Sequence, residues 1–445
     1  MSYPKVVVTP PGPKAKAILE RDADIISPSY GRAFPLVISS GKGSIITDVD
    51  GNKFIDLNAG LACLNVGHSH PKVIEAIKAQ ADLFLHYSHT DFYYEKAIDL
   101  GDSLQGIVPG DFKKKFYYGN SGAESVEAAI KLSRWHTGRK GMVAFIGSFH
   151  GRTMGALSLT ASKPVQRGRF FPLVPGVEHV PYPYCYRCPF NLECPDCGFY
   201  CVDYIDSYLF HKYVPPGEVA MVIVEPIQGE GGYVMSPKGY FKELKKLCDE
   251  HGILFAVDEI QSGMGRTGRW FAIEHYDAVP DIVCIAKGIA GGLPLGVTAA
   301  RADLMDWTPG SHASTFGGNP VSCAAAQAVI AAMKEERMLE NAEKQGGYIM
   351  KRLAEMEEEH PMIGDFRGAG LMIGVELVRD RETKEPAKEE AGDLMMRCFR
   401  KGLAIITCGV STMRIAPPLN ITRDLVESSI DILDECLGEV EAGST

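Results

Sequence analysis

Three runs of apolar residues carry charged side chains near their ends: Met221–Ile227 has Glu225, Ile253–Ile260 has Asp258, and Ile282–Ile289 has Lys287. Each reads as a buried strand, so the sequence predicts two carboxylates and a lysine at the carboxyl ends of neighbouring strands, where α/β sheets bind ligands. An aspartate and a lysine so placed suit pyridoxal phosphate. That cofactor needs a lysine amine to hold its aldehyde as a Schiff base, and a carboxylate to keep its ring nitrogen protonated so that the ring can take up electrons. A lysine is costly to bury as an ammonium ion, and an imine or neutral amine avoids that cost. Taken alone, Lys287 reads more readily as a side chain reaching out to solvent; it is the set of residues on successive strands that favours the Schiff base.

Other candidate residues fall at further strand ends. A strand over Lys115–Tyr118 runs into Gly119-Asn120-Ser121-Gly122-Ala123-Glu124, and Ser125–Trp135 then has helical periodicity. Small residues at such a turn let backbone amides and the Ser121 hydroxyl face an anion at the positive end of a helix, although Ser and Gly are also ordinary caps. The next strand, Met142–Ile146, leads to Phe149, whose flat ring can stack on a pyridine or simply fill a core, and to Arg152, a planar fork for a carboxylate or a solvated charge. Glu225 and Glu230 share a glycine-rich loop. Gly263, Gly265 and Gly268 match G-x-G-x-x-G, but polar residues separate the strand from the first glycine and no clear helix opens inside the motif, which excludes a dinucleotide fingerprint.

These side chains need a scaffold. From about residue 71 to 330, strand and helix patterns alternate, which predicts an α/β large domain with a mainly parallel sheet flanked by helices. Residues 1–70 hold an extended arm and two short strands, Ser44–Asp48 and Lys53–Asp56, joined by the Asp50-Gly51 turn. Residues 331–445 carry a helix through Met338 to Glu358, strands near Leu371–Leu377, Ala404–Ile406 and Met413–Ile415, and a helix from about Thr422 to Val440. The two end segments are expected to build a smaller α+β domain. The net charge of −10 and the pI near 5.7 argue against nucleic-acid or anionic-membrane surfaces. No apolar run is long enough to span a bilayer and no signal core opens the chain, so a cytoplasmic location is expected.

With these residues in view, the chain resembles the class III (ω-) aminotransferases of pyridoxal-phosphate fold type I, whose large domain holds a seven-stranded sheet. The resemblance runs from Asp48-Val49-Asp50-Gly51-Asn52 and Gly67-His68-Ser69-His70-Pro71 to the last strands. It implies that Lys287 is the Schiff-base lysine, Asp258 the ring-nitrogen partner and Gln261 the ring-hydroxyl contact. Ser121, Gly122 and Ala123 become the phosphate cradle, Phe149 the stacking ring, and Glu225 part of the cofactor site. It also implies a homodimer in which Thr315 of the neighbouring subunit reaches the phosphate. Members that use 2-oxoglutarate have a glutamate that releases an arginine when the oxo acid arrives. Glu230 and Arg414 match that pair, with Arg152 for the distal carboxylate.

The amino donor stays open among 4-aminobutyrate, ornithine and lysine. Tyr30 and the segment His86–Phe92 match the pocket entrance, where Asp91 suits a cationic substrate end, or else caps a helix over Phe92–Leu100. A racemase or epimerase on the same scaffold is the alternative reaction. The paired C-x-x-C units Cys185/Cys188 and Cys194/Cys197, with Cys201, read as zinc or iron–sulfur ligands, as free thiols, or as a disulfide.

Overall fold

The computed structural model describes residues 3–443. Its amino-terminal strands β1 (Ile38–Lys42), β2 (Ile45–Asp48) and β3 (Lys53–Asp56) pair antiparallel. The β2–β3 turn closes because Asp48 Oδ1 accepts the amides of Asp50 (3.0 Å) and Asn52 (2.8 Å), with Gly51 at a left-handed φ of 93°. Strand β1 is absent from the sequence reading for a physical reason. It is exposed along almost its whole length, so no apolar alternation marks it.

Next come β4 (Lys114–Gly119), β5 (Gly141–Phe145), β6 (Val177–Val180) and β7 (Val219–Val224), a short hairpin of β8 (Ile227–Gln228) and β9 (Val234–Met235), then β10 (Leu254–Asp258), β11 (Ile282–Ile285) and β12 (Gly296–Arg301). Leaving out the hairpin, these form a seven-stranded sheet in the order β4-β12-β11-β10-β7-β5-β6, parallel except for β12. Every residue of β7, β10 and β11 is buried, as a sheet covered on both faces requires. Alternation sorts them between two cores. Val222, Val224, Phe255, Val257, Val283 and Ile285 enter one, while Met221, Ile223, Leu254, Ala256, Ile282 and Cys284 enter the other with helix Gly122–Thr137.

The three charged strands are shorter than their apolar runs. Strand β7 stops at Val224, before Glu225 and Pro226, and proline has no amide to extend a ladder. Strand β11 stops at Ile285, because Lys287 turns to a left-handed φ of 47°. The charged side chains therefore stand at or just beyond the strand ends. The Gly263–Gly268 segment is a series of turns and no helix opens in it.

The remaining strands are β13 (Ile363–Ala369), β14 (Met372–Asp380), β15 (Glu385–Pro386), β16 (Leu403–Ala404), β17 (Ile406–Cys408) and β18 (Thr412–Ile415). A sheet in the order β13-β14-β18-β17 carries β15 on β14, and β16 runs parallel to β3, so segments from both ends of the chain share one sheet. The expected strand Ala404–Ile406 is thus two strands in different sheets, separated at the buried Ile405. Helices Met338–Glu359 and Arg423–Gly443 contact each other and close this smaller part. The helix expected over Phe92–Leu100 instead spans Glu95–Gln105 with Tyr94 at its N-cap, so Asp91 caps nothing. Among the described residues no helix is long and apolar enough to cross a membrane.

Candidate active site

A cavity of about 400 Å³ lies at the carboxyl ends of the parallel strands. Ser121, Gly122, Ala123, Phe149, Glu225, Asp258, Gln261 and Lys287 all line it, together with His150 and Cys63. Most of the cofactor residues expected from the sequence therefore meet in one place.

Ser121 is the N-cap of helix Gly122–Thr137, and its Oγ accepts the Glu124 amide at 3.2 Å. The first amides of the helix have no partner within it and carry the positive end of its dipole. A Cβ on Gly122 would come within 2.8 Å of Ile260 Cδ1, so a side chain there would crowd the cavity wall.

At the end of β10, Asp258 Oδ1 accepts the Ile260 amide at 3.0 Å and Oδ2 lies 2.7 Å from His150 Nδ1. His150 is fully buried, and its Nε2 has no hydrogen-bond partner. Burial works against an imidazolium here, but the hydrogen bond and charge of Asp258 outweigh it and raise the His150 pKa. Beside this pair, Glu225 accepts the Phe149 amide (2.8 Å) and the Gly229 amide (2.9 Å), and burial pushes its pKa up to about 7. The two neighbouring carboxylates are thus set apart: Asp258 bonds the His150 imidazole, and Glu225 is disposed to hold a proton near neutrality.

Lys287 follows β11 and points into the cavity half-buried. Burial lowers its pKa, opposed by Cys63, Glu230 and Asp258, which favours a neutral amine able to act as nucleophile or base. Its left-handed backbone is uncommon for a residue with a side chain and fits a site whose surroundings fix an awkward conformation.

A second wall comes from the β13–β18 sheet. Arg414 on β18 donates from Nη1 to Glu230 Oε1 at 2.7 Å, and Glu230 sits in the turn between β8 and β9. Burial alone would raise the Glu230 pKa, but Arg414 outweighs it and the net shift is downward; Arg414 is raised in turn. The pair lies near enough for both charges to act on Lys287.

Six expected residues lie outside the cavity lining, Glu230 and Arg414 among them. Arg152 is exposed and rests 5.5 Å from the centre of the Phe149 ring. Tyr30 is exposed beside Arg32, and Asp91 is exposed and accepts the Ser88 hydroxyl at 2.8 Å. Thr315 is also exposed. The sequence reading missed His150 as the partner of Asp258 and Cys63 as a lining residue. His150 had a usable signal in its place next to Phe149, after a strand. Cys63 had none, because only the fold brings it to Lys287.

Cys185, Cys188, Cys194, Cys197 and Cys201 surround one small apolar recess and are all free thiols. Among the described residues, no three or more His, Cys, Asp or Glu are grouped so as to hold a metal ion.

The residues present fit pyridoxal phosphate. A lysine of lowered pKa, a carboxylate backed by a buried imidazole, an aromatic face and an open helix N-terminus converge on one cavity. The fold and the site together define a pyridoxal-phosphate-dependent enzyme. The sequence description of the family Aminotransferase class-III matches residues 26–437, and the chain belongs to that family. It is 42% identical to an alanine/serine racemase of Pyrococcus horikoshii, over 100% of this chain and 94% of that protein. It is 40% identical to a probable 4-aminobutyrate aminotransferase of Bacillus subtilis, over 88% of this chain and 91% of that one. Among solved structures, a PLP-bound amine transaminase from an uncultivated Pseudomonas species superposes with a TM-score of 0.85 at 30% identity, covering 91% of this chain and 95% of its own.

Proposed function

We propose that the protein transfers the amino group of an ω-amino or diamino acid, of the 4-aminobutyrate, ornithine or lysine type, to 2-oxoglutarate. One observation carries this reading: the Glu230–Arg414 pair at 2.7 Å, beside Lys287. An arginine neutralised by its own glutamate accepts the uncharged end of a donor. Once the glutamate turns away, the same guanidinium offers a bidentate site to the carboxylate of an oxo acid. Arg152, next to Phe149, would hold the distal carboxylate, and Asp91 would meet a cationic donor end.

Pyridoxal phosphate would supply the aldehyde that captures the amine and the ring that takes up electrons from the reacting carbon. Ser121 with the amides of Gly122 and Ala123 would hold its phosphate, Phe149 would cover the ring, and Gln261 would meet the ring hydroxyl. Asp258, kept in place by His150, would face the ring nitrogen. Lys287 Nζ would take the proton from the donor's amine-bearing carbon, a role that its lowered pKa supports. The working unit would be a cytoplasmic homodimer, with Thr315 reaching the neighbour's phosphate. Its exposure supports that role, and twelve free thiols are in keeping with a reducing compartment.

The kinship with an alanine/serine racemase supports a second reading, in which the proton returns to the same carbon from the opposite face. That chemistry needs a second proton donor, and the lowered pKa of Glu230 makes it a poor one. The two readings part in one experiment. Holoenzyme is incubated separately with 4-aminobutyrate, L-ornithine, L-lysine and L-alanine, each with and without 2-oxoglutarate, and the products are resolved by chirality. Glutamate formed only with the oxo acid is the expected result. A D-amino acid accumulating without any oxo acid would overturn it in favour of racemisation.

A further inference from the structure

The strands of the smaller sheet bring Arg367, Gly374 and Arg414 into one transverse row. Gly374 on β14 pairs directly with Arg367 on β13 and with Arg414 on β18. Directly paired residues of antiparallel strands project to the same face, so two arginines flank a residue with no side chain. The backbone that follows Glu230 fills that gap: a Cβ on Gly374 would stand 3.0 Å from Tyr233 Cβ and 3.3 Å from the Gly232 carbonyl oxygen.

Both arginines hold this segment, each in its own way. Arg414 donates to the Glu230 carboxylate at 2.7 Å. Arg367 donates from Nη2 to the Gly232 carbonyl at 2.6 Å and from Nε to the Tyr233 carbonyl at 3.1 Å. On the other side the Gly409 amide donates to the Glu230 carbonyl at 2.9 Å. The main chain around Glu230 is therefore tied at three carbonyls, while its carboxylate is tied to Arg414.

Arg367 is itself braced. It pairs with Asp365 and, at 2.8 Å, with Glu376, and its guanidinium carbon lies 4.9 Å from the Tyr184 ring centre. Glu376 is bound in turn by Arg187 at 2.6 Å and by the Tyr184 hydroxyl. Tyr184 and Arg187 belong to the cysteine-bearing segment between β6 and β7, which thus has a structural link to the substrate wall.

We propose that Arg367 is a positioning residue for carboxylate selection: it clamps the backbone under Glu230, and Gly374 provides the gap in which that backbone lies. The proposal rests on the reading of Glu230 and Arg414 as an exchangeable pair. With the carbonyls held, Glu230 leaves Arg414 by rotation of its side chain and returns to the same spot. Arg414 is then open to an incoming carboxylate only when that carboxylate wins the competition. Release of the clamp lets the Glu230 backbone drift, weakens its hold on Arg414, and makes Arg414 more available to any carboxylate.

The test is a double-mutant cycle read as the Kd of glutarate, an unreactive dicarboxylate, measured by calorimetry on holoenzyme. Arg367→Met should tighten glutarate binding by about fivefold in the native background and by less than about twofold in Glu230→Gln, where no competing carboxylate is left to position. Arg367→Lys, with a compact ammonium in place of a planar fork, should fall between native and Arg367→Met. Gly374→Ala leaves every ion pair intact and only crowds the gap, so it should shift the Kd in the same direction even if Arg367→Met does not fold. Equal shifts in both backgrounds, or none in either, would overturn the clamp and leave the dicarboxylate reading standing. Native holoenzyme that binds no glutarate would overturn both.

Discussion

The wall proposed to receive the cofactor and the wall proposed to face the substrate are built by different means. On the first, Ser121, Asp258 and Lys287 each stand within two residues of the end of a strand of the buried sheet; local hydrogen bonds to Glu124 and Ile260 fix Ser121 and Asp258, and His150, 108 positions from Asp258, adds one contact from beyond the end of β5. On the second, Glu230 takes its place from Arg414, which follows it by 184 positions, and from the register of a separate sheet. Strand ends fix reactive groups with little freedom, as a bound ring and phosphate require. A turn held by ion pairs can exchange partners, as two different substrates require.

That contrast breaks first at Lys287. If Lys287 is the nucleophile and proton carrier proposed above, replacement by alanine removes that group for every substrate, and turnover should fall by about ten-thousandfold with all donors and acceptors alike. Changes on the other wall should instead alter the ratio between substrates. Steady-state rates with two donors and two oxo acids check this. Near-normal activity of Lys287→Ala, or a loss confined to one substrate, would dissolve the distinction between the walls.

Arg266 is the seam between them. It is fully buried in the glycine-rich turn and has no carboxylate partner among the described residues; its guanidinium donates to the carbonyls of Leu371 (3.2 Å) and Pro417 and to Asn65 Oδ1 (2.7 Å). Burial lowers its pKa to about 10, so it stays charged. These contacts tie the amino-terminal segment to both ends of the small-sheet core. Arg266→Met leaves buried acceptors without a donor, a cost of about 3 kcal/mol, seen as a lower urea midpoint at equal cofactor loading. An unchanged midpoint would mean that the two walls are joined by apolar packing alone.

The same contrast decides what the sequence could reveal. Lys287, Asp258 and the Ser121 turn were legible because each lies at the end of an apolar run or at a helix start, features set within a few residues. The runs overstated the strands, since Pro226 and the left-handed Lys287 end the ladders while apolar residues continue. The row Arg367–Gly374–Arg414 could not be read, because strand register follows from packing and leaves no local mark. His150 was passed over although it adjoins Phe149, because a histidine after a strand shows its partner only once β5 and β10 share a sheet. Tyr30 and Asp91 were placed by resemblance alone, and in this chain both lie at the surface.

The finest test concerns the two carboxylates of the cofactor wall, one hydrogen-bonded to His150 and the other buried beside that pair and bonded to two backbone amides. Burial raises Glu225 from the ordinary value near 4.5 to about 7 in the folded protein. Between those values the folded state keeps a proton that the unfolded chain has given up, so the contribution of Glu225 to stability falls as pH rises from about 4.5 to about 7 and is level above. Glu225→Gln carries no such proton and lacks that decline. It loses one of the two amide contacts at every pH, which is a constant offset, and Glu259, also raised by burial to about 7, contributes equally to both proteins. The stability of Glu225→Gln relative to native should therefore rise between pH 5 and pH 8 by roughly 2.5 kcal/mol, measured by urea unfolding at both pH values. A difference that does not change with pH would mean that Glu225 is ionised throughout. The difference between Glu225 and the carboxylate that bonds His150 would then be lost.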